Sequence, residues 1–211
     1  MKPRAPFLDA VEAYYTARVL EHGETARGVD WASETSQTLR FAKLLEVCRG
    51  ETGFSLLDYG CGYGALLDVL KERGADVRYT GYDLSSEMVS RARERHRGFK
   101  DAVFTSEPLP LARHDFVVAS GVFNVKLGAE ETKWQEYVHE TLDRLHALAL
   151  RGFAFNLLSL YSDPKKRRPD LHYADPLVLF DRCKRLYSPR VALLHDYPLW
   201  EFTLLVRSEA G

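Results

Sequence analysis

Leu56-Leu57-Asp58-Tyr59-Gly60-Cys61-Gly62-Tyr63-Gly64-Ala65 decides the fold. A short apolar run over 55–58 reads as a buried strand. Three glycines at alternate positions follow it, and a helical pattern over 65–73 closes on Gly74. Glycines at that spacing permit backbone conformations, and a closeness of ligand to backbone, that a Cβ would block. The helix beyond the turn presents unpaired N–H groups and its positive dipole end to the same crevice. Asp58, just ahead of the glycines, would repel a pyrophosphate and attract an ammonium group.

Working outward, strands and helices alternate. Strand patterns cover 77–82, 102–105, 116–119 and 153–158, and helical patterns cover 86–96, 131–150 and 176–185. In the helix over 131–150, Trp134, Val138, Leu142, Leu145 and Ala149 form one stripe. This alternation predicts a doubly wound, mostly parallel sheet. The last two strand patterns, 191–195 and 202–206, are separated by about six residues, too few for a parallel crossover, and must pair antiparallel. The expected architecture is an α/β doubly wound, seven-strand sheet with an antiparallel C-terminal strand.

Ahead of it lie two helical patterns. One carries Phe7, Leu8, Val11, Tyr14, Tyr15 and Val19 and stops at His22-Gly23. The other starts at Ser33 or Ser36 and ends by Gly50 and Gly53. We expect a single domain over 1–211, with 1–50 as a helical N-terminal cap on a core of 51–211.

Composition narrows the function. Apolar residues make up 45% and charged residues 28%, ordinary values for a globular chain. Twenty-nine basic against thirty acidic side chains give a charge of −1, which disfavours nucleic acid as a partner. No window approaches a membrane span, and the stretch 1–11, with Pro3 and Pro6, lacks the apolar core of a signal peptide. Cys48, Cys61 and Cys183 are too scattered for a zinc site, and no metal is expected; an odd, sparse set suits a reducing, cytoplasmic setting.

Asp83, at the end of the next strand and about 20 residues past the turn, is placed to accept hydrogen bonds from both hydroxyls of a ribose. Leu84 and Met88 follow, placed to cover an adenosine from the side. With Asp58, the turn 58–64, Asp83 and the segment His114-Asp115-Phe116-Val117-Val118-Ala119-Ser120-Gly121, the sequence resembles the class I S-adenosylmethionine-dependent methyltransferases from about residue 55 to its C-terminus.

The resemblance implies that S-adenosylmethionine is the cofactor. It places Gly60 and Gly62 beside the methionine part, Asp83 on the ribose, and Ser120 and Gly121 beside the methionine chain. At the adenine amino group, where many members carry an Asp, this chain offers Ser106 or Glu107. Arg40, with Gln37 one turn before it, is the candidate for the methionine carboxylate; a solvated helix face is the plain alternative for that pair. Gly60-x-Gly62-x-x-Ala65 also fits a dinucleotide-binding variant, against which stand Asp58 and the terminal hairpin.

The expected reaction is in-line transfer of a methyl group to an O or N atom of a small-molecule acceptor. An RNA or protein methyltransferase, gripping its target through Lys165, Lys166, Arg167 and Arg168, is one alternative. A non-catalytic module that binds S-adenosylmethionine is another. The Asn/Asp-Pro-Pro-aromatic signature of exocyclic-amine methylation of bases is missing after the fourth strand, where Ser120-Gly121-Val122-Phe123-Asn124-Val125 stands. The acceptor is expected among the cap, Phe123-Asn124 and the loop 161–173, with Asn124, His172 and Tyr173 as its candidate contacts. Tyr14, Tyr15 and Trp31 are placed either to form a lid or to pack the cap onto the core.

Overall fold

The computed structural model describes residues 5–107 and 112–208; Pro3, read from the sequence above, lies outside them. The sheet runs β3 (Ala102–Thr105), β2 (Val77–Tyr82), β1 (Phe54–Tyr59), β4 (His114–Ala119), β5 (Ala149–Ser159), β8 (Glu201–Arg207), β7 (Arg190–Leu194). Strands β1 to β5 are mutually parallel, and β8 is antiparallel to both β5 and β7, as the short terminal connection requires. An eighth, two-residue strand, β6 (Tyr173–Ala174), pairs with the end of β5. It is too short to leave a periodic signal.

Three helices connect the parallel strands: α3 (Ala65–Glu72), α4 (Ser86–Arg95) and α5 (Glu131–Leu148). Helix α6 (Pro176–Leu186) opens with the Asp175 side chain accepting from the Leu177 N–H and with proline in its first turn. Helix α5 stops at Leu148, two residues earlier than its apolar stripe suggests, and β5 starts at Ala149, four residues before the expected strand. Gly152 lies inside that strand, where a Cβ would stand 2.7 Å from the Val206 carbonyl oxygen on β8. The strand therefore needs glycine there to let β8 approach.

Before the sheet come α1 (Phe7–His22) and α2 (Glu34–Leu44). Ser33 and Ser36 both serve the start of α2, each side chain accepting from the other's backbone N–H. Helix α1 lines a cavity at the C-terminal ends of the central strands, and two of its contacts reach α4 and α5. The Thr16 and Ser85 hydroxyls share a 2.7 Å hydrogen bond at the start of α4. The Phe7 ring meets Trp134 at 5.3 Å and Tyr137 at 5.7 Å on α5. Trp134 is fully buried and donates from Nε1 to the Phe123 carbonyl at 2.9 Å, tying α5 to the loop after β4.

Candidate functional site

Strand β1 delivers Asp58 to the floor of a crevice, and the turn beyond it is shaped by its glycines. Gly60, Gly62 and Gly64 take φ values of 85°, 55° and 86°, in the left-handed region that favours glycine. A Cβ on Gly60 would stand 2.2 Å from Val122 Cγ1. The Gly60 and Cys61 N–H groups donate to the Tyr82 carbonyl at 2.7 and 3.0 Å, locking the turn to the end of β2. Asp83 Oδ2 accepts from the Gly62 N–H at 2.8 Å, and Oδ1 from the Ser85 N–H at 2.9 Å. Its two oxygens are thus fixed in place at the edge of the crevice. Burial pushes the Asp83 pKa above the usual carboxylate range, and these N–H groups oppose that rise.

Asp58 is 2% exposed. Its Oδ2 accepts from the Tyr79 hydroxyl at 2.6 Å, whereas Oδ1 is buried with no hydrogen-bond partner in the protein. Burial pushes its pKa up to about 7. Ser120 Oγ and Arg40 Nη1 are likewise buried without partners. Asp58 and Ser120 line the crevice, and an unsatisfied acceptor on an acid beside an unsatisfied hydroxyl fits the ammonium of an amino-acid tail.

The crevice opens into a cavity of about 740 Å³. Asp58, Gly60, Gly62, Asp83, Leu84, Met88, Ser106, Ser120 and Gly121 all line it, so nine of the expected cofactor residues meet in one place. Of the two candidates at the adenine position, Ser106 lines the cavity; Glu107 is exposed and its N–H donates to Thr105 Oγ1.

Arg40 does not line the cavity. It is neither on a solvated face nor open to ligand along its whole edge: its Nε and Nη2 grip Glu201 on β8 at 2.5–2.9 Å. Its guanidinium stacks 3.9 Å from the centre of the Trp31 ring. Gln37, one turn before it, does reach the cavity, as do Tyr15 and Trp31.

The acceptor-side candidates are placed elsewhere. Asn124 Oδ1 accepts from the Leu158 N–H at 3.2 Å and its carbonyl accepts from the His172 N–H at 2.8 Å, so it fastens the loop after β4 to its neighbours. His172 Nδ1 lies 2.7 Å from Glu131, with its pKa lowered by burial, and the Tyr173 hydroxyl accepts from the Arg168 N–H. None of the three lines the cavity.

Instead the cavity runs on between α1 and α5, where Phe7, Leu8, Val11 and Glu12 face Lys133, Glu136, Tyr137, Glu140 and Arg144. Sequence reasoning passed over this second wall. Its signal is the spacing 133, 137, 140, 144, a helical row beside the apolar stripe of α5. Among the described residues no cluster of three His, Cys, Asp or Glu side chains is set to hold a metal ion. No helix among them is long and apolar enough to cross a membrane.

Comparison with known proteins agrees with this geometry. Residues 57–152 match the family model described as a methyltransferase domain. A putative methyltransferase from Mycobacterium tuberculosis is 54% identical over 154 residues, 73% of this chain and 93% of the relative. Among solved structures, magnesium protoporphyrin IX methyltransferase from Synechocystis PCC 6803 with bound S-adenosylmethionine superposes with a TM-score of 0.69. It is 14% identical and covers 99% of this chain and 100% of its own. The N-methyltransferase NodS from Bradyrhizobium japonicum, bound to S-adenosylhomocysteine, gives 0.60 at 16% identity, covering 82% and 88%.

The fold and the crevice define a methyltransferase that uses S-adenosylmethionine. The chain belongs to the class I S-adenosylmethionine-dependent methyltransferase family.

Proposed function

We propose that this enzyme methylates an O or N atom of a small-molecule acceptor held in the part of the cavity between α1 and α5. The observation that carries the reading is the continuity of that chamber with the cofactor crevice within one volume of about 740 Å³. That size is within the usual range for small-molecule sites, roughly 300–1,000 Å³. Its walls pair apolar and aromatic side chains on α1 with charged ones on α5, a composition suited to an acceptor with an apolar body and a polar end.

S-adenosylmethionine supplies an activated methyl group. The residues of this chain bind and align. Asp83 holds the ribose hydroxyls, Asp58 and Ser120 receive the amino-acid tail, and α1 covers the crevice and excludes water. Alignment of this kind contributes about 7–11 kcal/mol to lowering a bimolecular barrier. The neighbour named for magnesium protoporphyrin IX is named for a small-molecule acceptor, which favours the same class here.

The nucleic-acid reading draws less support. Arg167 is spent on the Leu160 and Ser162 carbonyls and Arg168 on Asp170, which leaves the 165–168 loop braced on its own chain. The test is a screen of acceptors with labelled S-adenosylmethionine. We expect transfer to a small amphipathic molecule, reduced when Tyr137→Ala alters the chamber. Transfer to RNA or protein alone would overturn the proposal.

A further inference from the structure

Asp58 is held from outside the cavity by a buried tyrosine. Strands β1 and β2 run parallel, with Leu56 beside Tyr79 and Asp58 beside Gly81. Side chains two apart on a strand share a face, so Tyr79 is the diagonal neighbour of Asp58. Gly81 offers the acid no side chain and has no room for one: a Cβ there would stand 2.6 Å from Phe104 Cδ1 and 2.8 Å from Cys61 Sγ. The Tyr79 ring, 1% exposed and tilted against Phe104 at 5.6 Å, spans the diagonal. Its hydroxyl donates to Asp58 Oδ2 at 2.6 Å. Asp58 lines the cavity and Tyr79 does not.

A carboxylate as buried as Asp58 is costly without compensation. The titratable groups beside it are Tyr79 on β2, Asp83 after that strand and the Cys61 thiol in the glycine turn, kept neutral by its own burial. Strand β4 places Val118 next to it. From α2 the cavity receives the uncharged Gln37 and Phe41, while Arg40 is turned to Glu201. Burial disfavours the ionised acid most, the Tyr79 hydrogen bond opposes that, and the Asp83 charge adds to it. Among these neighbours only the Tyr79 hydroxyl favours the carboxylate. Burial also pushes the pKa of Tyr79 well up, so the hydroxyl keeps its proton and remains a donor. It takes up Oδ2 and leaves Oδ1 as the oxygen without a partner.

We infer that Tyr79 is a positioning residue for the cofactor: it holds Asp58 by Oδ2 in the ionised form, so that Oδ1 takes the ammonium of the amino-acid tail. This rests on the cofactor reading of the crevice. Tyr79 touches no ligand itself and acts through Asp58.

Calorimetric titration across pH 5 to 8 with two ligands separates this role from general support. S-adenosylhomocysteine carries the amino-acid tail; methylthioadenosine has the adenosine and the sulfur but no tail. Tyr79→Phe keeps the ring and removes the donor. It is expected to weaken S-adenosylhomocysteine about tenfold or more at about pH 6. The difference should narrow toward pH 8, because the pH below which affinity falls moves up from about 7. Methylthioadenosine should bind both proteins alike. If Tyr79→Phe does not fold, its double variant with Asp58→Asn is compared with Asp58→Asn alone. Those two should bind S-adenosylhomocysteine equally, since no charge is left for Tyr79 to hold. Unchanged affinity for S-adenosylhomocysteine, a loss by the same factor at every pH, weakening of methylthioadenosine as well, or a double variant weaker than Asp58→Asn would each overturn the inference. Asp83→Ala is the control for the crevice itself and should weaken both ligands. If that control leaves both unchanged, the cofactor reading fails, whatever the Tyr79 variant does.

Discussion

At the scale of single residues, the site is governed by how burial sets the charge of Asp58. With its pKa pushed up to about 7, its side chain is a neutral acid below that pH in the unliganded protein. An ammonium group is attracted only to the carboxylate, so binding must expel a proton at lower pH. Affinity for S-adenosylhomocysteine should therefore fall as pH drops below about 7, with a slope approaching tenfold per unit. Calorimetry across pH 5 to 8 checks this, and Asp58→Asn should flatten the profile. For folding the same shift has the sign proper to a raised pKa. Its contribution to stability is fully present below the ordinary value of 3.8 and is lost as pH rises through about 7. Asp58 and Asp83 were legible in the sequence because each ends a strand beside a turn of special residues. Glu201 was not: its partner Arg40 lies 161 positions away, and only an acid at the head of an apolar strand hints at it.

At the scale of elements, the glycine turn and Trp134 do separate jobs. Gly60 must hold a left-handed conformation with Val122 packed against its Cα. Gly60→Val should cost about 1–2 kcal/mol from the backbone conformation alone. It should also weaken S-adenosylhomocysteine at least about tenfold through displacement of Val122 and the turn, read by calorimetry beside a thermal melt. Trp134→Ala removes a fully buried ring and the bond to the Phe123 carbonyl. Urea denaturation should show a loss of about 3–5 kcal/mol. The parallel strands and terminal hairpin could be read in the sequence from apolar runs and connection lengths. The α5–β5 boundary could not, because Ala149 and Leu150 continue the helical stripe while pairing decides for the strand. The role of the wall on α5 was equally hidden, since charged residues in a helical row read as a solvated face until α1 is laid opposite them.

At the scale of the whole molecule, α1 bridges the two halves of the sheet's upper edge and roofs one continuous cavity. Loosening two of its contacts, by Thr16→Val together with Phe7→Ala, should speed dissociation of S-adenosylhomocysteine several-fold in stopped-flow fluorescence. An unchanged rate would mean that α1 is not the roof.

If the fixed carboxylate of Asp83 grips the cofactor's ribose, calorimetry of the protein with S-adenosylhomocysteine shows it directly. Asp83→Ala should weaken binding about ten- to a hundredfold, the loss expected for charge-assisted hydrogen bonds. Equal affinity in the two proteins would contradict it.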